Sequence, residues 1–156
     1  MVKTDLLKAM LLCIIAICSS VQEAKAQQES SERELQIVSF TEADKSDFDV
    51  TTPSNFAGKL KTTALVKVFM PGEIESTDPI SSKEIERKVA PGGGTYAFYV
   101  WIDQYTNSMR IVPKGNTYQS VKITFKDFDI PVYSPRNKNG GLQAGKVYHL
   151  ILRDPT

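Results

Sequence analysis

The chain has few of the residues on which most metal and catalytic centres depend. It contains two cysteines, one histidine and one tryptophan among its 156 residues, and both cysteines, Cys13 and Cys18, lie near the start. Zinc sites take three or four nitrogen or sulfur ligands, and cysteine catalysis needs a free thiol. The single histidine, His149, could act as the base of a serine hydrolase, but the chain has no Gly-x-Ser-x-Gly motif that would supply the serine nucleophile. We therefore expect no enzyme, no catalytic or cofactor-binding residue, no metal site and no cofactor.

An excess of charge of one sign is also lacking. The formal net charge is +1, and residues 1–26 hold three of the 19 basic and two of the 18 acidic residues, so the remainder is balanced. Proteins that bind nucleic acid or anionic membrane surfaces usually carry a clear basic excess. We expect neither kind of partner.

No apolar run reaches the roughly 20 residues needed to cross a bilayer. The longest run, 9–18, follows two lysines and precedes the small-x-small pattern Ala24–Ala26, an order typical of a secretory signal. We predict a signal peptide over 1–26 that is cleaved before Gln27, and no transmembrane segment after cleavage. The expected location is the periplasm or the outer cell surface.

Lipidation at Cys18 is an alternative use of the same segment, because Cys18 ends the apolar run. A lipoprotein signal usually has a small residue before the modified cysteine, whereas this chain has Ile17, so we favour simple cleavage. The cleaved chain would have no cysteine in a compartment that permits disulfides. Packing alone would then have to hold the fold together.

The rest of the chain predicts one all-β domain. Residues 27–34 are polar and are expected to form a disordered leader, and 35–156 is long enough for one core. Short segments of strand composition, separated by turn residues and without a long helical pattern, predict a single antiparallel β-sandwich of about seven strands. They are LQIVSF (35–40), TTALVKVFM (62–70), ISSKEIERKVAP (80–91), GGGTYAFYVWI (92–102), SMRIV (108–112), YQSVKITF (118–125) and KVYHLIL (146–152).

One of these segments, 80–91, also fits a short helix, since Ser81 and Glu84 form a capping-box pattern. We favour a strand because apolar and polar residues alternate from Ile85 to Val89. The same alternation predicts which side chains face the core. They are Ala64, Val66, Val68, Phe98, Val100, Ile102, Met109, Ile111, Val121, Ile123, Phe125, Tyr148, Leu150 and Leu152.

The long polar segment 41–59 contains three apolar residues that we expect to anchor it onto the core, Phe48, Val50 and Phe56. Its acidic run, Asp44–Asp49, is dense in oxygen ligands but lacks the glycine and the terminal glutamate of a calcium-binding loop. We interpret it as a solvated polar turn.

Two other sequence features have structural interpretations. His149 lies in the middle of the last predicted strand and is expected on the solvent face. The glycine-rich PGGGT (91–95) lacks the Lys-Ser/Thr of a phosphate-binding loop and reads as a connection between strands.

Aromatic residues are concentrated in the strand that follows this loop. If Phe98 faces the core, Tyr99 and Trp101 face the other way, and Tyr105 continues the pattern into the next turn. An exposed stripe of this kind suits stacking against sugar rings or a protein interface. We take Tyr99, Trp101 and Tyr105 as candidate partner-binding residues. The alternative is that both faces of the sheet are covered and these rings belong to the core.

Four segments resemble the strands of PEGA-like β-sandwich domains of exported bacterial proteins, in the same order. They are ALVKV (64–68), IVPKG (111–115), VKI (121–123) and GKVY (145–148). The resemblance implies a non-catalytic module of the cell envelope, and since no second domain follows we expect it to act alone. AGKVYHLIL (144–152) is also similar to the last strand of fimbrillin-like surface proteins, which we rank second because those chains are longer.

Together these features predict a non-catalytic, exported envelope module that binds a protein or glycan partner. The alternative is a fimbrial or structural surface subunit that assembles by strand exchange. A third hypothesis is a hydrolase with two carboxylates roughly 5–10 Å apart in a cleft.

Overall fold

In the computed structural model, residues 32–51, 62–89, 94–130 and 141–156 are described. All of these except Glu32 belong to one unit, Arg33–Thr156. The predicted signal peptide, most of the predicted leader and Phe56 lie outside the described residues, as does most of the glycine-rich loop.

Eight strands and two short helical segments occur in the described ranges. The helix α1 spans Phe48–Thr51, and one 3-10 turn spans Phe125–Asp127. The strands are β1 Gln36–Glu42, β2 Thr63–Phe69, β3 Ile74–Asp78, β4 Glu86–Val89, β5 Tyr96–Asp103, β6 Ser108–Pro113, β7 Val121–Thr124 and β8 Val147–Arg153. Among these residues, no helix is both long and apolar enough to cross a membrane.

The strands form two sheets, with the order β1-β8-β2-β5-β4 in one and β3-β6-β7 in the other. The prediction of an all-β sandwich is confirmed. One pair departs from a purely antiparallel arrangement, since β2 and β8 run parallel. This pair places the last strand of the chain in the interior of the larger sheet.

The segment 80–91 contains a strand, β4, as predicted. The additional strand, β3, has the sequence IESTD and buries only Thr77. It lacks the apolar alternation that marks a half-buried strand, and its place at the sheet edge follows from pairing with β6.

The core lies between the two sheets and confirms the predicted inward faces. All fourteen predicted residues belong to one buried cluster, together with Leu35, Phe40 and Leu142. Phe125 packs there from the 3-10 turn that follows β7. Alternation was sufficient because a two-residue period places every second side chain of a strand on the same face.

The outer face of the five-stranded sheet is covered as well. Tyr99 and Trp101 point away from the main core, as expected, but they are only 6% and 4% exposed. They belong to a second buried cluster with Leu65, Ala97 and Val147, against which Val50 packs. The predicted exposed stripe is therefore wrong for these two rings. The segment after β1 reaches Tyr99 through Asp49, and Lys83 lies over the ring of Trp101. Tyr105 is 75% exposed.

Candidate functional site

Three polar side chains lie in one row across the outer face of the five-stranded sheet. The antiparallel register of β2 and β5 places Lys67 opposite Tyr99, and the parallel register of β2 and β8 places Lys67 beside His149. The three residues come from distant parts of the chain. Strand pairing alone brings them together.

The loop after β1 supplies two carboxylates that face this row. The backbone N–H of Ser46 donates to Asp44 Oδ1 at 2.8 Å, which tightens the turn. Asp47 then precedes α1, and its Oδ1 accepts a hydrogen bond from the backbone N–H of Asp49 at 2.8 Å. This is the contact of a helix N-cap, for which aspartate is among the preferred residues. The cap bond fixes the Asp47 carboxylate against the first turn of α1.

Lys67 joins the two carboxylates to the sheet. Its Nζ lies 2.6 Å from Asp47 Oδ1 and 2.8 Å from Asp47 Oδ2, and it also pairs with Asp49 Oδ2. The side chains of the three residues are only 5–7% exposed. Charged groups are rarely buried unless they are paired, because they lose their hydration. We call Asp47, Asp49, Lys67, Tyr99 and His149 the Lys67 cluster.

Tyr99 and His149 complete the hydrogen bonding of the acids. The Tyr99 hydroxyl donates to Asp49 Oδ2 at 2.6 Å, and His149 Nε2 lies 2.5 Å from Asp47 Oδ2. An ionised carboxylate only accepts hydrogen bonds, so Nε2 of His149 carries a proton. The His149 ring also meets Phe69 edge to face, with centroids 5.3 Å apart.

The surroundings hold the charged groups in their ordinary ionic forms. Burial alone would raise the pKa of Asp47, but hydrogen bonds from Lys67 and His149 outweigh it and the pKa lies below 3.8. Burial alone would lower the pKa of Lys67, but its bonds to Asp47 and Asp49 raise the pKa above 10.5. Burial raises the pKa of Tyr99 to about 12, with a further contribution from its bond to Asp49.

These directions indicate what Asp47, Lys67 and Tyr99 can do chemically. General acid–base catalysis works best when a pKa lies near the working pH. Here Asp47 stays ionised, Lys67 stays charged and Tyr99 keeps its proton. The arrangement fixes charge and hydrogen-bond direction and is poorly suited to moving a proton.

A cleft of about 190 Å³ opens over the cluster. Its floor is polar, and its walls include the rings of Phe48 and Phe69. Phe48 is 57% exposed, so the expectation that it anchors the loop on the core is wrong. Val50, which was also predicted as an anchor, does pack against the buried cluster on this face. The residues that line the cleft are Ser46, Asp47, Phe48, Lys67, Phe69, Ala97, Tyr99 and His149.

The sequence prediction for the acidic loop is correct in part. Asp44 lies on the surface of a turn, as expected. The side chains of Asp47 and Asp49 are only 7% and 5% exposed, so the interpretation as a solvated turn is wrong for them. In the described part of the chain, no three Asp, Glu, His or Cys side chains are arranged to hold a metal ion.

His149 was expected on the solvent face. It lies on the outer face of the sheet, with its side chain 31% exposed and bonded to Asp47. Sequence reasoning missed Lys67 as well. The available signal was its position between Leu65 and Phe69 in an apolar strand, where a lysine needs a partner.

Comparison with known proteins assigns the chain to no family. No family model, no curated protein and no solved structure matches the chain. The PEGA-like and fimbrillin-like resemblances stay predictions, and so does the partner-binding role of Tyr99, Trp101 and Tyr105. Of these three, only Tyr99 lines the cleft over the Lys67 cluster, while Trp101 lies under Lys83, whose Nζ is 4.7 Å from the ring centroid.

Proposed function

We propose that this protein is a non-catalytic binding module of the bacterial cell envelope, which holds one residue of a protein or glycan partner in the cleft over the Lys67 cluster. The observation that carries the proposal is the combination of a fixed, ionised floor with an open apolar wall. Asp47 lies in the floor with its side chain 7% exposed, and Phe48 stands in the wall 57% exposed.

The floor is preorganised for recognition. Asp47 and Asp49 already take hydrogen bonds from Lys67, His149 and Tyr99, so a ligand would meet groups whose positions are set. Preorganisation lowers the ordering cost of binding. Binding sites commonly combine apolar walls with a few fixed polar groups.

The size of the cleft limits what enters it. Pockets for drug-sized ligands span about 300–1,000 Å³, and this cleft has about 190 Å³. It suits a single side chain or the edge of one sugar ring. A sugar fits the chemistry well, since its hydroxyls can bond to the floor while its apolar face lies against Phe48.

The envelope location in this proposal is supported by the signal pattern in residues 1–26 and by the PEGA-like segments, which imply a non-catalytic module. The absence of catalysis is supported by the ionic states of the cluster. The close carboxylates of Asp47 and Asp49 share one lysine, and the raised pKa that a general acid requires is not found at Asp47.

The test is binding of protein from full-chain expression to envelope extract and to a panel of neutral oligosaccharides. Phe48→Ala removes the exposed wall, and His149→Phe removes a bond to Asp47 while keeping a ring. Tyr96→Ala is the matched control, since Tyr96 is 49% exposed and lies outside the cleft. We expect both cleft variants to lose the captured partner and Tyr96→Ala to keep it. A partner retained by both cleft variants would contradict the proposal.

Assembly by strand exchange is the alternative function. What supports it is β1, a seven-residue strand at one edge of the larger sheet, with Val38 50% exposed. Open edges can pair with another chain. Both β1 and β8 are already paired with neighbouring strands, however. Filaments of purified protein in electron micrographs would favour this alternative over the binding module.

A further inference from the structure

We propose a second binding site, on the outer face of the three-stranded sheet, for a sugar that carries one carboxylate. The site is a cleft of about 330 Å³, within the size range of small-molecule sites. It lies on the other sheet from the Lys67 cluster, and the proposal does not depend on the function assigned to that cluster. The lining residues are Asp78, Pro79, Thr106, Ser108, Met109, Arg110 and Lys122.

A row of three charges crosses this face. Strand register places Asp78 opposite Arg110, and Arg110 opposite Lys122. All three are exposed and alternate with core residues, so they share the outer face. Directly opposite residues have Cβ atoms roughly 4.5–5.5 Å apart, and like charges there are destabilising. The pair Arg110–Lys122 therefore has an unfavourable repulsion that a bound anion would relieve.

Neither cation has a carboxylate partner in the part of the chain that the structure describes. Among the described residues, Arg110 and Lys122 form no ion pair with a carboxylate, and this includes Asp78. Other exposed lysines differ: Lys88 pairs with Glu86, and Lys114 pairs with Glu73. An arginine and a lysine side by side can hold a carboxylate, with the guanidinium donating two parallel bonds.

Asp78 selects among anions. The row has one negative and two positive groups, so its local charge matches one negative charge on the ligand. A phosphate dianion or a polyanion would be repelled by Asp78. A ligand with hydroxyl groups next to its carboxylate would instead donate to Asp78 and meet Thr106 and Ser108 at the edge of the cleft. Carboxylated sugars have this pattern.

The experiment is a nuclear magnetic resonance titration of protein from full-chain expression with sodium glucuronate. Glucose tests the need for the carboxylate, glutamate tests the need for the sugar ring, and inorganic phosphate tests for a general anion site. We expect saturable shifts at β6 and β7 with glucuronate, and weaker or no binding of the other three.

Single-residue variants test whether glucuronate binds in this cleft. Arg110→Gln and Lys122→Gln each remove one cation and should raise the Kd for glucuronate roughly tenfold or more. Lys126→Gln is the matched control, because Lys126 is exposed and lies outside the cleft. Asp78→Asn should improve phosphate binding. Thermal melts of every variant verify that the fold is kept.

Several outcomes would overturn the proposal. They are equal binding of glucose, tighter binding of glutamate or phosphate than of glucuronate, and equal losses in Lys126→Gln and Lys122→Gln. Phe48→Ala, in the other cleft, should leave glucuronate binding unchanged. If Phe48→Ala loses the envelope partner but still binds glucuronate, the loss belongs to the cleft over the Lys67 cluster and not to the cleft lined by Arg110 and Lys122.

Discussion

His149 Nε2 lies 2.5 Å from Asp47 Oδ2, although 102 residues separate them in the sequence. This bond ties β8 to the loop that follows β1. Lys67 binds the same carboxylate from β2, the strand next to β8. The Lys67 cluster therefore attaches the loop to the sheet at two adjacent strands, and it holds in place the loop that contacts Tyr99.

Replacing the central cation tests how much the cluster stabilises the fold. Lys67→Met should lower the free energy of unfolding by roughly 3–5 kcal/mol, because Asp47 and Asp49 would remain buried without a counter-charge. Urea unfolding measures this. Lys114→Met is the matched control, since Lys114 is 68% exposed and its loss should cost no more than about 0.5 kcal/mol.

A triple variant separates the cost of unpaired charge from the cost of lost packing at the Lys67 cluster. Adding Asp47→Asn and Asp49→Asn to Lys67→Met removes the uncompensated charges and should restore part of the lost stability. If the triple variant is less stable than Lys67→Met alone, the cost would come from lost packing of the lysine stem instead.

The stabilising contribution of the cluster should depend on pH. The pKa of Asp47 is lower in the folded protein than its ordinary 3.8, so its contribution is present above that value and is lost as the pH falls through the folded pKa. The pKa values of Lys67 and Tyr99 are raised, to about 12 for Tyr99, so their contribution is present below the ordinary 10.5 and 10.0 and is lost as the pH rises through the folded values.

Unfolding by urea across this range gives the measurement. The stability difference between wild type and Lys67→Met should be largest from about pH 5 to pH 9 and should shrink on both sides. If this stability difference stays constant down to about pH 2, the stabilising contribution of Asp47 does not depend on its negative charge.

Substitution of Gly115, in the turn between β6 and β7, measures the cost of backbone strain without a steric clash. Gly115 has a φ of +83°, and a Cβ placed there would meet no atom within 4 Å. Gly115→Ala should therefore cost about 1–2 kcal/mol through the left-handed backbone and not through a clash. Gly115→Asn should cost less, since asparagine tolerates this region better. Equal losses for the two variants in thermal unfolding would rule out strain as the cause.

The predicted signal can be tested by processing. After expression of the full chain in a bacterial host, we expect the exported form to begin at Gln27 and to be unchanged by Cys18→Ser. N-terminal sequencing of the envelope fraction measures the first residue. Loss of membrane association in Cys18→Ser would favour the lipidated form instead.

Local sequence patterns were sufficient for the sandwich and its core. In Val121–Thr124 and Ser108–Pro113, apolar and polar residues alternate with the period of a strand, so each strand identifies its own buried face. Glycine and proline at the turns mark where strands end, which is also a local property. The edge strand Ile74–Asp78 lacks such a pattern, and only its pairing with β6 defines it.

The Lys67 cluster depends on information that no single segment contains. The sequence determined that Asp47 lay in an acidic turn and that Lys67 lay in an apolar strand. Only the tertiary structure decided that they meet, because strand order and register place Lys67 between Tyr99 and His149 and the loop after β1 folds back over them. Alternation identifies the two faces of a strand, but whether the second face is covered depends on where a distant segment packs.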